Sequence, residues 1–173
     1  MSEQDQTSNN IDTNDVERFW QFAGNNANVY ANRLRIFSQS DYDYAREHKQ
    51  LSWNWASFFL GVYWMAYRKM WGWVSIYFAY YILSDLLFSQ VSALDRFVNL
   101  IISVLLGMYG NAMYFAHAAK KIDAIKRTSI SAQEKNAEYE RVGGTSGKSV
   151  ALAIVLTIAI ITVLSLIEYQ WNK

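Results

Sequence analysis

Apolar residues along this chain are gathered into blocks, and the blocks predict helices of distinct kinds. Residues 97–119 are 23 positions without a formal charge, taking His117 as neutral, and residues 149–167 are 19 more. A helix crossing a hydrocarbon layer of roughly 30 Å needs about 20 residues, so each block is long enough to span. Residues 70–88 offer a further span interrupted by Asp85. A carboxylate at mid-depth would cost ~3 kcal/mol, which places Asp85 near the far headgroups. The predicted spans are therefore 70–88, 97–119 and 150–169. Residues 53–66 are apolar for only 14 positions before Tyr67, Arg68 and Lys69. Their reach of about 21 Å predicts an interfacial or re-entrant helix that does not cross.

The N-terminal third has a different pattern. Residues 1–14 are polar with only Ile11 to bury, which predicts a disordered, solvated tail. From Asp15 to about Gln39 the chain reads as helical: Asn14 can cap, Asp15 and Glu17 suit the first turn, and Phe19, Trp20, Phe22, Val29, Tyr30, Leu34 and Phe37 form a broken apolar face. Gly24 and the asparagines after it leave open one continuous helix or two helices parted near Gly24. They also leave open whether this amphipathic region packs on its own domain or lies on the inner membrane face.

The expected fold is an all-α integral membrane bundle of three transmembrane helices, an aromatic interfacial or re-entrant helix and an N-terminal amphipathic helical region. Its segments are 1–14 (polar tail), 15–51 (cytoplasmic helical region), 52–69 (aromatic helix), 70–119 (two-span hairpin), 120–148 (basic cytoplasmic loop) and 149–173 (third transmembrane helix). Five of the seven tryptophans fall within 53–73. Indole favours the headgroup zone, so Trp53, Trp55, Trp64, Trp71 and Trp73 are expected interface anchors, with Arg68 and Lys69 marking a water-facing boundary.

Charge sets the orientation. The formal net charge of +1 gives no global field to attract nucleic acid. Residues 120–148 carry Lys120, Lys121, Lys126, Arg127, Lys135, Arg141 and Lys148, whereas 84–96 carry Arg96 with two aspartates. By the positive-inside rule the longer segment is cytoplasmic, and three spans then place the N-terminus inside. The first fifty residues hold no basic stretch followed by an apolar one, so no cleaved signal peptide is expected. Lys120, Lys121, Lys126 and Arg127 are candidates for contact with anionic lipid headgroups or a protein partner.

Within the second predicted span Ser103, Gly107 and Asn111 recur at spacing four, with Gly110 beside them. Small residues let helices approach, and a buried amide needs a partner across the contact. Intramolecular packing is the simpler reading, a homo-oligomer face the sharper one; Ala153, Thr157 and Ile161 offer a matching strip on the third span.

Candidate chemistry fails on spacing. Residues 143–149, G-G-T-S-G-K-S, suggest a phosphate loop, but the position needing the first glycine is Val142. His48 and His117 stand apart from each other and from any ligand framework, and the absence of cysteine excludes disulfides and thiolate sites. No catalytic residue, cofactor or metal is expected.

Three segments carry a family resemblance: F-A-G-N-N-A-N-V-Y at 22–30, W-N-W-A-S-F-F-L-G-V-Y-W-M-A-Y-R-K-M-W at 53–71, and G-N-A-M-Y-F-A-H-A-A-K-K-I at 110–122. Together they resemble the uncharacterised bacterial family known as domain of unknown function 2628, the middle block being the specific one. A proline commonly follows the glycine of that block, and Val62 stands there instead, which removes the expectation of a sharp kink. The resemblance implies a small bacterial inner-membrane protein and no activity. The expected role is a non-enzymatic membrane scaffold or partner-binding protein. The alternative is a small transporter, channel or accessory subunit in which Asp85, Asn99, Asn111 and His117 face a polar path.

Overall fold

The computed structural model describes residues 14–88 and 92–171. The expected polar tail, apart from Asn14, lies outside the described residues. Among those residues the chain is helical throughout, without a strand, and it divides into two compact units.

The first unit comprises Met1–Gln50 and Phe115–Gly144. Asn14 accepts a hydrogen bond from the Val16 N–H and starts α1 (Asp15–Ala23), which ends at Gly24 with φ 60°. A 3-10 turn (Gly24–Asn26) leads into α2 (Ala27–Leu34), closed by Arg35 in the left-handed region. The chain thus takes the two-helix alternative, and the glycine marks the break because it alone reaches that φ without strain. Beyond it lies α3 (Gln39–Glu47), started by a capping box in which Ser38 and Asp41 satisfy each other's backbone N–H.

Phe19 and Tyr42 meet Phe115 edge-on, with ring centroids 5.3 and 5.1 Å apart. Phe115, Ala118, Ala119, Ile122 and Ile125 are all buried, the i, i+3, i+4, i+7 stripe of one helix face. That helix is α7 (Ser92–Lys126), which supplies its first part to the second unit and the residues from Phe115 onward to the first. Residues 120–148 are accordingly not a loop: α7 continues to Lys126, and α8 (Ala132–Val142) follows from a second capping box, Ser131 with Glu134. After α8, the Gly144 N–H donates to the Phe22 carbonyl at 2.7 Å. A Cβ on Gly143 would collide with the same oxygen, so only glycine allows this approach.

The second unit comprises Leu51–Tyr114 and Thr145–Lys173. The single aromatic helix expected over 53–66 is two six-residue helices, α4 (Trp55–Leu60) and α5 (Val62–Tyr67), parted by Gly61 at φ 46°. A kink is present without the proline, because the glycine itself supplies the positive φ that ends α4. Lys69, at φ 57°, turns the chain into α6 (Trp71–Phe88). The unit is completed by α7 up to Tyr114 and by α9 (Gly147–Trp171).

Two helices among the described residues are long and apolar enough to cross a membrane, Arg96–Lys126 within α7 and Gly147–Trp171. This corrects the expectation of three. Within the expected span 70–88 the helix is Trp71–Phe88, but its 18 residues include Asp85, two tryptophans and three tyrosines, which dilute the aliphatic content a free-standing span needs.

Candidate functional site

The middle block of the sequence is organised around two buried asparagines. Asn54 caps α4 by accepting the Ser57 N–H at 3.0 Å, while its Nδ2 donates to Asn111 Oδ1 on α7 at 2.8 Å. Asn111 in turn donates to the Ser52 carbonyl and to Ser52 Oγ, at 3.2 and 2.9 Å. The Asn54 backbone N–H reaches the Gly107 carbonyl at 2.8 Å. Both amides are almost wholly buried, and each donor meets an acceptor, as buried polar groups require.

Small residues on α7 make the approach possible. A Cβ on Gly107 would stand 2.9 Å from the Trp53 ring, and one on Gly110 would stand 2.6 Å from Ser57 Oγ. Gly107, Gly110 and Asn111 therefore do lie at a packing contact, but the segment that covers them is 52–58. The strip on α9 goes elsewhere: Ala153 is buried, α9 packs chiefly on α5, and Tyr63 donates its hydroxyl to Thr157 Oγ1 at 3.3 Å. Ser103, the fourth member of the predicted face, donates to the Asn99 carbonyl one turn back.

Ser103 also borders a cavity of ≈ 280 Å³ at the Gly61 break, walled by α4, α5, α6, α7 and α9. Phe58, Tyr63, Tyr77 and Leu106 contribute to its walls.

The expected interface anchors divide into two groups. Trp53, Trp55 and Trp73 are exposed in part and Trp71 is half-buried; Trp53 and Trp55 pack with Phe58 and Phe59 into an aromatic cluster. Trp64 and Arg68, by contrast, are inside the unit, 4% and 5% exposed. The Arg68 guanidinium lies over the Tyr114 ring at 5.1 Å, so it is an interior cation held by aromatic faces and not a water-facing marker. Lys69 is half-buried in the turn.

The candidate lipid or partner contacts belong to the first unit. Lys120, Lys121 and Arg127 are exposed. Lys126 is exposed too, but it pairs with Asp15 at 2.8 Å, and Asp15 also receives Arg18. Burial alone would raise the Asp15 carboxyl, but the bonds from Lys126 and Arg18 outweigh it and hold the group below its ordinary range. Arg46 and Asp123 form a further pair at 2.8 Å. Among the histidines, His48 stacks on Tyr44 and His117 meets the edge of Phe22. Gly143 and Gly144 serve the Phe22 contact, with the Gly144 N–H already engaged there, and Gly147 begins α9.

Asn54 escaped the sequence reading as a packing residue. Its signal was present, since an asparagine immediately before an apolar helical run is an N-cap pattern.

The class defined by this architecture is an all-helical protein with two helices long and apolar enough to cross a membrane and a separate helical unit rich in charge. The family described as Protein of unknown function (DUF2628) matches residues 8–120, and the chain belongs to it. The match contains both asparagines, the aromatic block and the first part of the buried stripe of α7 (Phe115, Ala118 and Ala119), and it ends within α7, before α8 and α9. No curated protein and no solved structure matches the chain significantly.

Proposed function

We propose that this protein is a multi-pass component of the bacterial inner membrane, a non-enzymatic scaffold whose charged helical unit serves as its partner-binding part on the cytoplasmic side. The observation that carries the reading is the surface of α9. Of its described residues only Ala153 is buried, while Val155 and Ile158 are 61% and 60% exposed amid a continuous run of isoleucine, leucine and valine. A core helix of a soluble protein would hide these side chains, and a surface this apolar calls for hydrocarbon around it.

Packing within the first unit bears on topology. Residues 15–50 fold together with 115–144, so the two share one compartment. If α7 crosses, the stretch between residues 51 and 95 has to return the chain to the far side. The cations of 120–148 orient that unit toward the cytoplasm. Three groups named for a polar path have other contacts: Asn111 is engaged by Asn54 and Ser52, Asn99 accepts the Tyr80 hydroxyl, and His117 packs on Phe22.

Reporter fusions test the reading. A periplasm-active reporter after Lys173 should be active and one inserted near Glu134 silent. Release of the protein from membranes by alkaline carbonate would overturn membrane integration itself.

A further inference from the structure

The cavity at the Gly61 break is ≈ 280 Å³, and none of the residues lining it is charged. Three of its hydroxyls are already committed as donors: Tyr63 to Thr157, Thr157 to the Ala153 carbonyl, and Ser103 to the Asn99 carbonyl. Tyr77 and Tyr81 on α6 bring two further hydroxyls, and the remaining walls are phenylalanine, leucine, isoleucine and valine around Gly61. An anionic headgroup would find no cation here. The rim is apolar as well. Phe59, Leu60 and Ile161 line the cavity and are themselves exposed, and Ile161 continues into the bare face formed by Val155 and Ile158.

We propose that this cavity seats one hydrocarbon chain of a bilayer lipid, entering sideways past Phe59 and Ile161. The proposal rests on the membrane reading above. Beside a fluid acyl phase, an apolar space of this size loses dispersion contacts along every wall while empty, and a flexible chain restores them without needing a single hydrogen bond. The Gly61 break is what creates the seat. Two short helices meeting at an angle leave a notch that one straight helix would close, and α6, α7 and α9 supply the other walls.

The test uses the full chain in phosphatidylcholine nanodiscs carrying a diazirine on the acyl chain, with adducts mapped by mass spectrometry after irradiation. Adducts at Tyr63 and Tyr77 should exceed those at Val155, on the open face of α9, several-fold. Ser103→Phe, which fills the cavity from α7, should bring Tyr63 and Tyr77 down to the Val155 level while leaving Val155 labelled. Even labelling of cavity and open face in the wild-type protein would overturn the proposal whether or not the variant folds. Cavity labelling that persists in a Ser103→Phe protein melting like wild type would overturn it too. A chain that stays out of the nanodiscs would instead remove the membrane reading, a result distinct from even labelling.

Discussion

The two units of this protein solve the burial of polar groups in opposite ways. In the first, helices of nine to eleven residues begin at Asn14, Ser38 and Ser131 caps, and charge is paired at the surface, Asp15 with Arg18 and Lys126, Arg46 with Asp123. Its apolar residues turn inward, where Phe19, Phe22, Tyr42 and Phe115 form the core. In the second unit the polarity is inverted. The two asparagines and Arg68 are buried, while leucine, isoleucine and valine of α9 face outward. The contrast teaches that the two units expose different surfaces: one turns its hydrocarbon inward, and the other, under the membrane reading proposed above, hides hydrogen bonds from an apolar surround.

The contrast can be broken at single glycines. Gly143→Ala should have the largest effect, about 3 kcal/mol, because the new methyl meets the backbone of Phe22, which no rotamer change can relieve. Hydrogen exchange should then accelerate in residues 15–50 and 115–144 and stay unchanged in 51–114. Equal loosening of both would mean that they unfold as one.

Gly107→Leu should cost about 2 kcal/mol in a detergent melt, since its side chain has to displace Trp53 and Phe58 from the contact that Asn54 and Asn111 pin in register. Leu105→Ala, at a 47% exposed position two residues away, should cost less than half as much. A reversed order would place the packing face on the other side of α7.

Acid should separate the units more gently. A carboxyl held below its ordinary range, as that of Asp15 is, contributes stability at neutral pH, and that contribution is lost as pH falls through the lowered value. Amide exchange in α1 should therefore rise at low pH, and Asp15→Asn should flatten the dependence. A wild-type and variant that respond alike would assign the acid sensitivity to other groups.

Val62→Pro should have the smallest effect, within about 1 kcal/mol, because Val62 is the first residue of α5 and proline is tolerated there. A larger loss in the melt would show that the Val62 N–H or side chain holds the break in shape.

The sequence made the α7 packing face legible because Ser103, Gly107 and Asn111 recur at helical spacing, a local pattern. Its partner was not legible, since Asn54 lies 57 residues away and the residues before it are not helical. The α3 helix was not delimited within the helical region of 15–51 for a related reason: its residues are mostly polar, and only the Ser38 and Asp41 pair announced it. Lys120 and Lys121 suggested that α7 ends where charge begins. They lie on the outer face of a helix whose inner face, from Phe115 to Ile125, stays apolar for another turn and more. Gly61 was read through the proline that is absent beside it, although the glycine was sufficient for the bend.

The Asn54 to Asn111 bond also sets a schedule. The two residues are 57 positions apart, and a ribosome adding roughly 5–20 residues per second delivers the second several seconds after the first. During that interval Trp53, Trp55 and the start of α4 are already made, but the acceptor for the Asn54 amide and the carbonyl of Gly107 do not yet exist. The aromatic block thus has to wait before it can be closed over α7, and its final position is reached only when the helix that carries its fastening has been synthesised.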